Sequence, residues 1–142
     1  MASTTAPDKN IQFLIDINYQ RMVSFEQAAF LTNEPSFKEF YLAKAAESEF
    51  NIQQLLIIVN TSPETYNAGP SANTADVYLA EMFNGKKSTT RILASIKTFE
   101  KTIANWYKSI LKEITDLPKE MIELVKGQYK SLNNTQLQME ML

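Results

Sequence analysis

Thr89-Thr-Arg-Ile92-Leu93-Ala-Ser-Ile96-Lys-Thr-Phe99-Glu100-Lys-Thr-Ile103-Ala-Asn-Trp106-Tyr107-Lys-Ser-Ile110-Leu111-Lys-Glu-Ile-Thr115 is the stretch that decides the fold. Ile92, Ile96, Phe99, Ile103, Trp106 and Ile110 follow one another at alternating spacings of four and three. That is the spacing of a helix whose apolar stripe packs against other helices. Leu93, Tyr107 and Leu111 widen the face, and Trp106 reads as core. Asp116-Leu117-Pro118 closes the segment, because the residue before a proline resists helical dihedrals.

The same pattern recurs on either side. Beyond Pro118, Met121, Ile122, Val125, Tyr129, Leu132 and Met139 continue a seam towards the C-terminus. Met139-Glu140-Met141 reads as seam filling or a frayed end rather than a cofactor box. Upstream, about Asp8 to Asn33, Ile11, Leu14, Ile15, Met22, Phe25 and Ala29 mark one helical face, stopped by Asn33-Glu34-Pro35. From about Ser36 to Asn60, Phe37, Tyr41, Ala45, Ile52, Leu55, Leu56 and Val59 lie on one side of a helix. Phe40, Phe50 and Ile57 lie towards another side. A helix apolar on two sides is covered on two sides, so these three residues are a candidate interface with a partner.

Between Thr61 and Ser88 the breakers Ser62-Pro63, Gly69-Pro70 and Asn84-Gly85 interrupt any long helix, with room for a short one at Asn73 to Asn84. This stretch is too long for a hairpin turn. It is expected to carry the chain from one end of a bundle to the other, placing the second and third long helices parallel. The expected fold is all-α: one four-helix-bundle domain over residues 1–142, made of two helical hairpins joined by the 61–88 crossover, with residues 1–7 as a flexible start.

Composition supports this and narrows function. The chain has 142 residues, three glycines and five prolines, little punctuation for a many-stranded sheet. A formal charge of −2, with no basic cluster beyond pairs such as Lys86-Lys87, argues against nucleic-acid binding. Met1 to Asn10 lacks the basic start and apolar core of a secretory signal, and the longest apolar run, Leu55 to Val59, is far short of a membrane span. A cytoplasmic location is the expectation. The chain has no cysteine and no histidine. Thiolate chemistry, Fe–S ligation and a Ser-His-Asp triad are thereby removed, and any catalysis would rest on carboxylates, amides, tyrosines or a borrowed cofactor.

Polar residues that fall inside the apolar stripes are the site candidates. Phe25-Glu26 in the first helix echoes Phe99-Glu100 in the third, with Tyr19 seven residues before Glu26 and Tyr107 seven after Glu100. Asn18 falls near the centre of the first face and Gln136 on the last seam. Asn18, Tyr19, Glu26, Glu100, Tyr107 and Gln136 therefore form a candidate polar core layer that fixes helix register, since a buried carboxylate needs a partner. One alternative is that each glutamate reaches water at a helix edge, and another is a metal site of Glu26, Glu49 and Glu100. Bundle di-metal sites take a Glu from each of two helices and a Glu-x-x-His from each of the other two. The second half is missing here, so oxygen ligands alone would suit Mg²⁺, Ca²⁺ or Mn²⁺ better than an iron pair. The expectation is no cofactor, with a divalent metal (Fe, Mn, Mg or Ca) as the alternative.

Phe25-x-x-Ala28-Ala29, the Asn84-Gly85 end of the middle segment, Ile92-Leu93 up to Glu100, Tyr107 to Leu111, Leu117-Pro118 and Gln128-Tyr129 resemble a bacterial family of uncharacterised ferritin-like four-helix-bundle proteins. The resemblance spans about Ile11 to Gln138. It implies a ferritin-like bundle with a crossover and a dimer, and it implies no established activity. Where the family carries a late histidine this chain has Gln136, and Phe50 stands at an acidic position. Both departures weigh against ferritin-like metal chemistry, and fold alone licenses no function. The leading expectation is a non-catalytic protein-association module in a stress or regulatory setting, acting as a homodimer or with another protein. The alternative is a carboxylate-based metal-binding protein or oxidoreductase.

Overall fold

A computed structural model describes residues 9–59 and 88–142. The expected flexible start at 1–7, the short helix at 73–84 and all but the last residue of the 61–88 crossover lie outside the described residues. Four α-helices and no strands are found among those described: α1 (Lys9–Leu31), α2 (Pro35–Ile58), α3 (Thr89–Glu113) and α4 (Lys119–Glu140). Each boundary falls within a few residues of the expected one.

Local chemistry sets the ends. Glu34 is extended and Pro35 occupies the first turn of α2, where a missing N–H costs nothing. Ser88 caps α3, its hydroxyl accepting from the Arg91 N–H at 3.2 Å. Ile114 closes α3 and is itself buried, while the Leu117 N–H donates to its carbonyl at 3.0 Å, so the link to α4 is tied to the core. Pro118 is the N-cap of α4 rather than its first helical residue.

Side-chain pairs fix the directions. Arg21 meets Ser48 and Asn18 meets Asn51, so α1 and α2 are antiparallel. Arg21 also meets Glu100 while Asn18 meets Tyr107, so α3 is antiparallel to α1. Gln128 reaches Tyr107 on one side and Asn51 on the other, which ties α4 to both α3 and α2. It follows that α2 and α3 run in the same direction.

The apolar interior comes in two parts. One gathers Ile11, Leu14, Ile15, Ile52, Leu55, Leu56, Ile103, Ile110 and Val125, with Phe13 edge-on to Trp106 at 5.4 Å. Trp106 is only partly buried, at the margin of this cluster instead of inside it. The other gathers Phe25, Ala28, Tyr41, Ala45, Ile92, Leu93, Ile96 and Met139. Between the two, every helix contributes polar side chains. Among the described residues no helix is long and apolar enough to cross a membrane.

Candidate functional site

Arg21 is the centre of the polar band, with 0% of its surface exposed. It lies three residues after Asn18 and four before Phe25, so helical periodicity aims it inward with them. Its Nε donates to Glu100 Oε1 at 2.8 Å and its Nη2 to Glu100 Oε2 at 2.7 Å, a bidentate fork. Its Nη1 donates to the Ser48 hydroxyl at 3.1 Å, and Ser48 in turn donates to the Lys44 carbonyl at 3.0 Å. Glu47 Oε1 lies 2.9 Å from the same Nη1 but without hydrogen-bond alignment, so its contribution is chiefly coulombic. Phe25 closes one side, its ring centroid 5.1 Å from the guanidinium carbon.

Formal charges balance across the band. Arg21 faces two carboxylates, and Lys44 approaches Glu47 at 3.5 Å from the more open side. Glu100 is 1% exposed and Glu47 23%, so the Arg21–Glu100 pair is the dry one and Glu47 links it to the surface. Burial works to lower the Arg21 pKa. Glu100 first and Glu47 second outweigh it, so the guanidinium is held charged more firmly than in water.

Next to this cluster is a closed circuit of neutral groups. The Asn18 amide donates to the Tyr107 hydroxyl and to the Leu14 carbonyl, both at 2.8 Å. Tyr107 donates to Gln128 Oε1 at 2.7 Å, and Gln128 Nε2 donates to the Asn51 carbonyl at 3.3 Å. Asn51 Nδ2 returns the circuit to Asn18 Oδ1 at 3.1 Å. One side chain from each helix takes part, and each amide is oriented by its neighbours. Burial pushes the Tyr107 phenol well above its ordinary value, against the lowering effect of the Asn18 hydrogen bond, so it stays neutral and donates.

Of the residues singled out from sequence, Asn18, Glu100 and Tyr107 meet in this band. Glu26, Glu49, Tyr19 and Gln136 do not. Glu26 and Glu49 are exposed. The candidate metal trio is therefore not assembled, and among the described residues no group of three or more Asp or Glu is placed to hold a metal ion. The reason lies in the helix surroundings. Glu26 is about 100° beyond Phe25, which on α1 turns it out to the strip it shares with exposed Phe30. Glu100 holds the same place after Phe99, but on α3 that direction points at α1, where Arg21 receives it. Tyr19 is half-buried along the edge of the first cluster. Gln136 is half-buried in a shallow groove with Lys97, Thr98, Lys101 and Met139.

Sequence reasoning did not place Arg21, Glu47, Ser48, Asn51 or Gln128 in the polar layer. The signal was there: Arg21 and Gln128 each occupy a seam position between apolar residues, and Ser48 sits between Ala45 and Ile52. Against protein-family models, curated proteins and solved structures alike, nothing matches this chain.

Proposed function

We propose that the protein is a non-catalytic helical bundle that works through protein association. The observation that carries this reading is the closure of the central band. Among the described residues, both oxygens of the band's one fully buried carboxylate are taken by a single guanidinium, and the band's other carboxylate, Glu47, lies 2.9 Å from that same guanidinium. A positive side chain stands between Glu47 and Glu100, where a ferritin-like bundle would hold cations, and turns the site into a structural clamp. The parallel course of α2 and α3 supports the ferritin-like crossover through 61–88, and with it the resemblance to that bacterial family. The setting proposed for it is a cytoplasmic stress or regulatory one.

What the bundle offers to a partner is the outer side of α2. Phe50 is 57% exposed, Ile57 77% and Leu42 50%. Phe40, grouped with them from sequence, instead packs partly buried on the second cluster against Tyr41, with Lys44 over its ring. Large apolar side chains that recur along one side of a helix offer a candidate interaction surface. Sedimentation equilibrium from about 1 μM to 1 mM tests the reading in its simplest form, because apolar association outlasts salt. Reversible oligomers whose mass is unchanged between low and high salt support it. A monomer throughout that range counts against it.

A further inference from the structure

The geometry points to a second copy of this chain as the partner, docked antiparallel on α2 with a twofold axis through Ala46. This rests on the association reading above and specifies its surface. On the side of α2 opposite Tyr41, Ala45, Ser48, Ile52 and Leu55, the exposed residues include Glu39, Leu42, Ala43, Ala46, Glu49, Phe50, Gln53 and Ile57, with Lys38 at the margin. They recur every three to four residues and so form one straight stripe.

The order of residues within the stripe selects both partner and register. Ala46 is at the middle of a helix that runs Pro35–Ile58, so an axis there lets two α2 helices overlap along their whole length. In that register Phe50 lies over Ala43 and Ala46 of the second copy, a large side chain meeting two small ones. Glu39 falls opposite Gln53, Glu49 opposite the aliphatic Leu42, and Ile57 opposite Pro35. The stripe holds two glutamates, and Lys38 lies at its margin, so a register that brings the glutamates together is costly. Moving the axis to position 49 would set Glu49 against its own copy, a like-charge pair.

Size sets the strength. A helix of 24 residues is about 36 Å long and presents a strip roughly 10 Å wide. That is about half of the ~800 Å² per partner typical of a stable interface. The dimer is accordingly reversible, in the micromolar range or weaker.

The chain has no cysteine, so a single introduced thiol reports the register directly. A residue on the axis faces its own copy, within the Cα separation of about 4.4–6.8 Å that a disulfide requires. Under mild oxidation at 100 μM, Ala46→Cys is expected to give a covalent dimer and Glu26→Cys, on α1, to give little. Phe50→Glu, at an exposed position that leaves the fold intact, should weaken dimerisation at least tenfold by sedimentation. A dimer that Phe50→Glu leaves unchanged and Ala46→Cys does not trap would overturn this interface while association through some other face stands. A strict monomer at every concentration would remove both.

Discussion

Replacing Glu100 by Gln should be far more damaging than its near-identical shape suggests. The substitution keeps volume and burial but leaves one carbonyl oxygen where two carboxylate oxygens had accepted from Arg21 at 2.7 and 2.8 Å. One Arg21 N–H then meets an amide N–H. The guanidinium, 0% exposed, is left with Glu47 as its only anionic partner among the described residues. Removing one member of a buried pair costs about 3–5 kcal/mol, a third or more of the stability of an average domain. Arg21→Met should cost a similar amount, because it strands Glu100 and takes the donor from Ser48. The double variant Arg21→Met with Glu100→Leu leaves no uncompensated charge between the two positions. It should cost well under the sum of the singles, giving a coupling energy of at least about 2 kcal/mol. Urea unfolding followed by helical circular dichroism measures all four corners. With a slope of about 2 kcal/mol/M, each single variant loses roughly 1.5–2.5 M in midpoint. If Glu100→Gln shifts the midpoint by less than 0.5 M, or if the singles add up to the double, the band is not the clamp described here.

Two tyrosines make the fold sensitive to alkali. Burial pushes Tyr41 up to about 12 and raises Tyr107 further. Above pH ~10 the unfolded chain gives up these protons and the folded one keeps them, so stability falls as pH rises, by up to about 1.4 kcal/mol per pH unit for each group. Tyrosinate absorbance at 295 nm should show these two rings ionising together with unfolding. Tyr41→Phe should remove part of the slope and cost little at pH 7, because its buried hydroxyl has no hydrogen-bond partner among the described residues. Gly127 is exposed in mid-α4, and a methyl there would meet nothing within 4 Å. Gly127→Ala should therefore stabilise by about 0.5–1 kcal/mol in the same urea assay, and any loss would mean that α4 is not a regular helix there.

The four helices were legible because apolar spacing and proline stops act locally. Ile92 to Ile110 announces a helix whatever surrounds it, and Asn33-Glu34-Pro35 ends one for reasons internal to three residues. The polar band was legible only in part. Asn18 stood out because it interrupts an apolar stripe. Arg21 interrupts the same stripe, yet an arginine at a seam position reads as a surface residue whose long stem reaches water. Glu26 and Glu100 stand in similar local sequence and meet opposite fates: Glu100 faces Arg21 across the contact between α1 and α3, and Glu26 faces solvent. Such information is not in the residues around either glutamate.

The two-part interior also bears on how this chain changes over evolutionary time. Leucine, isoleucine, valine and methionine can trade places in either apolar half at small cost, so those positions drift and erase family likeness. The band cannot drift that way, since each of its members is oriented by the next and a change in one strands another. Distant kin should therefore share little except a sparse signature spread over four helices: Asn18-x-x-Arg21, Glu47-Ser48-x-x-Asn51, Glu100 with Tyr107 seven residues on, and Gln128. A lineage that lost the arginine while keeping both glutamates would stand at the fork where a clamp and a cation site part ways.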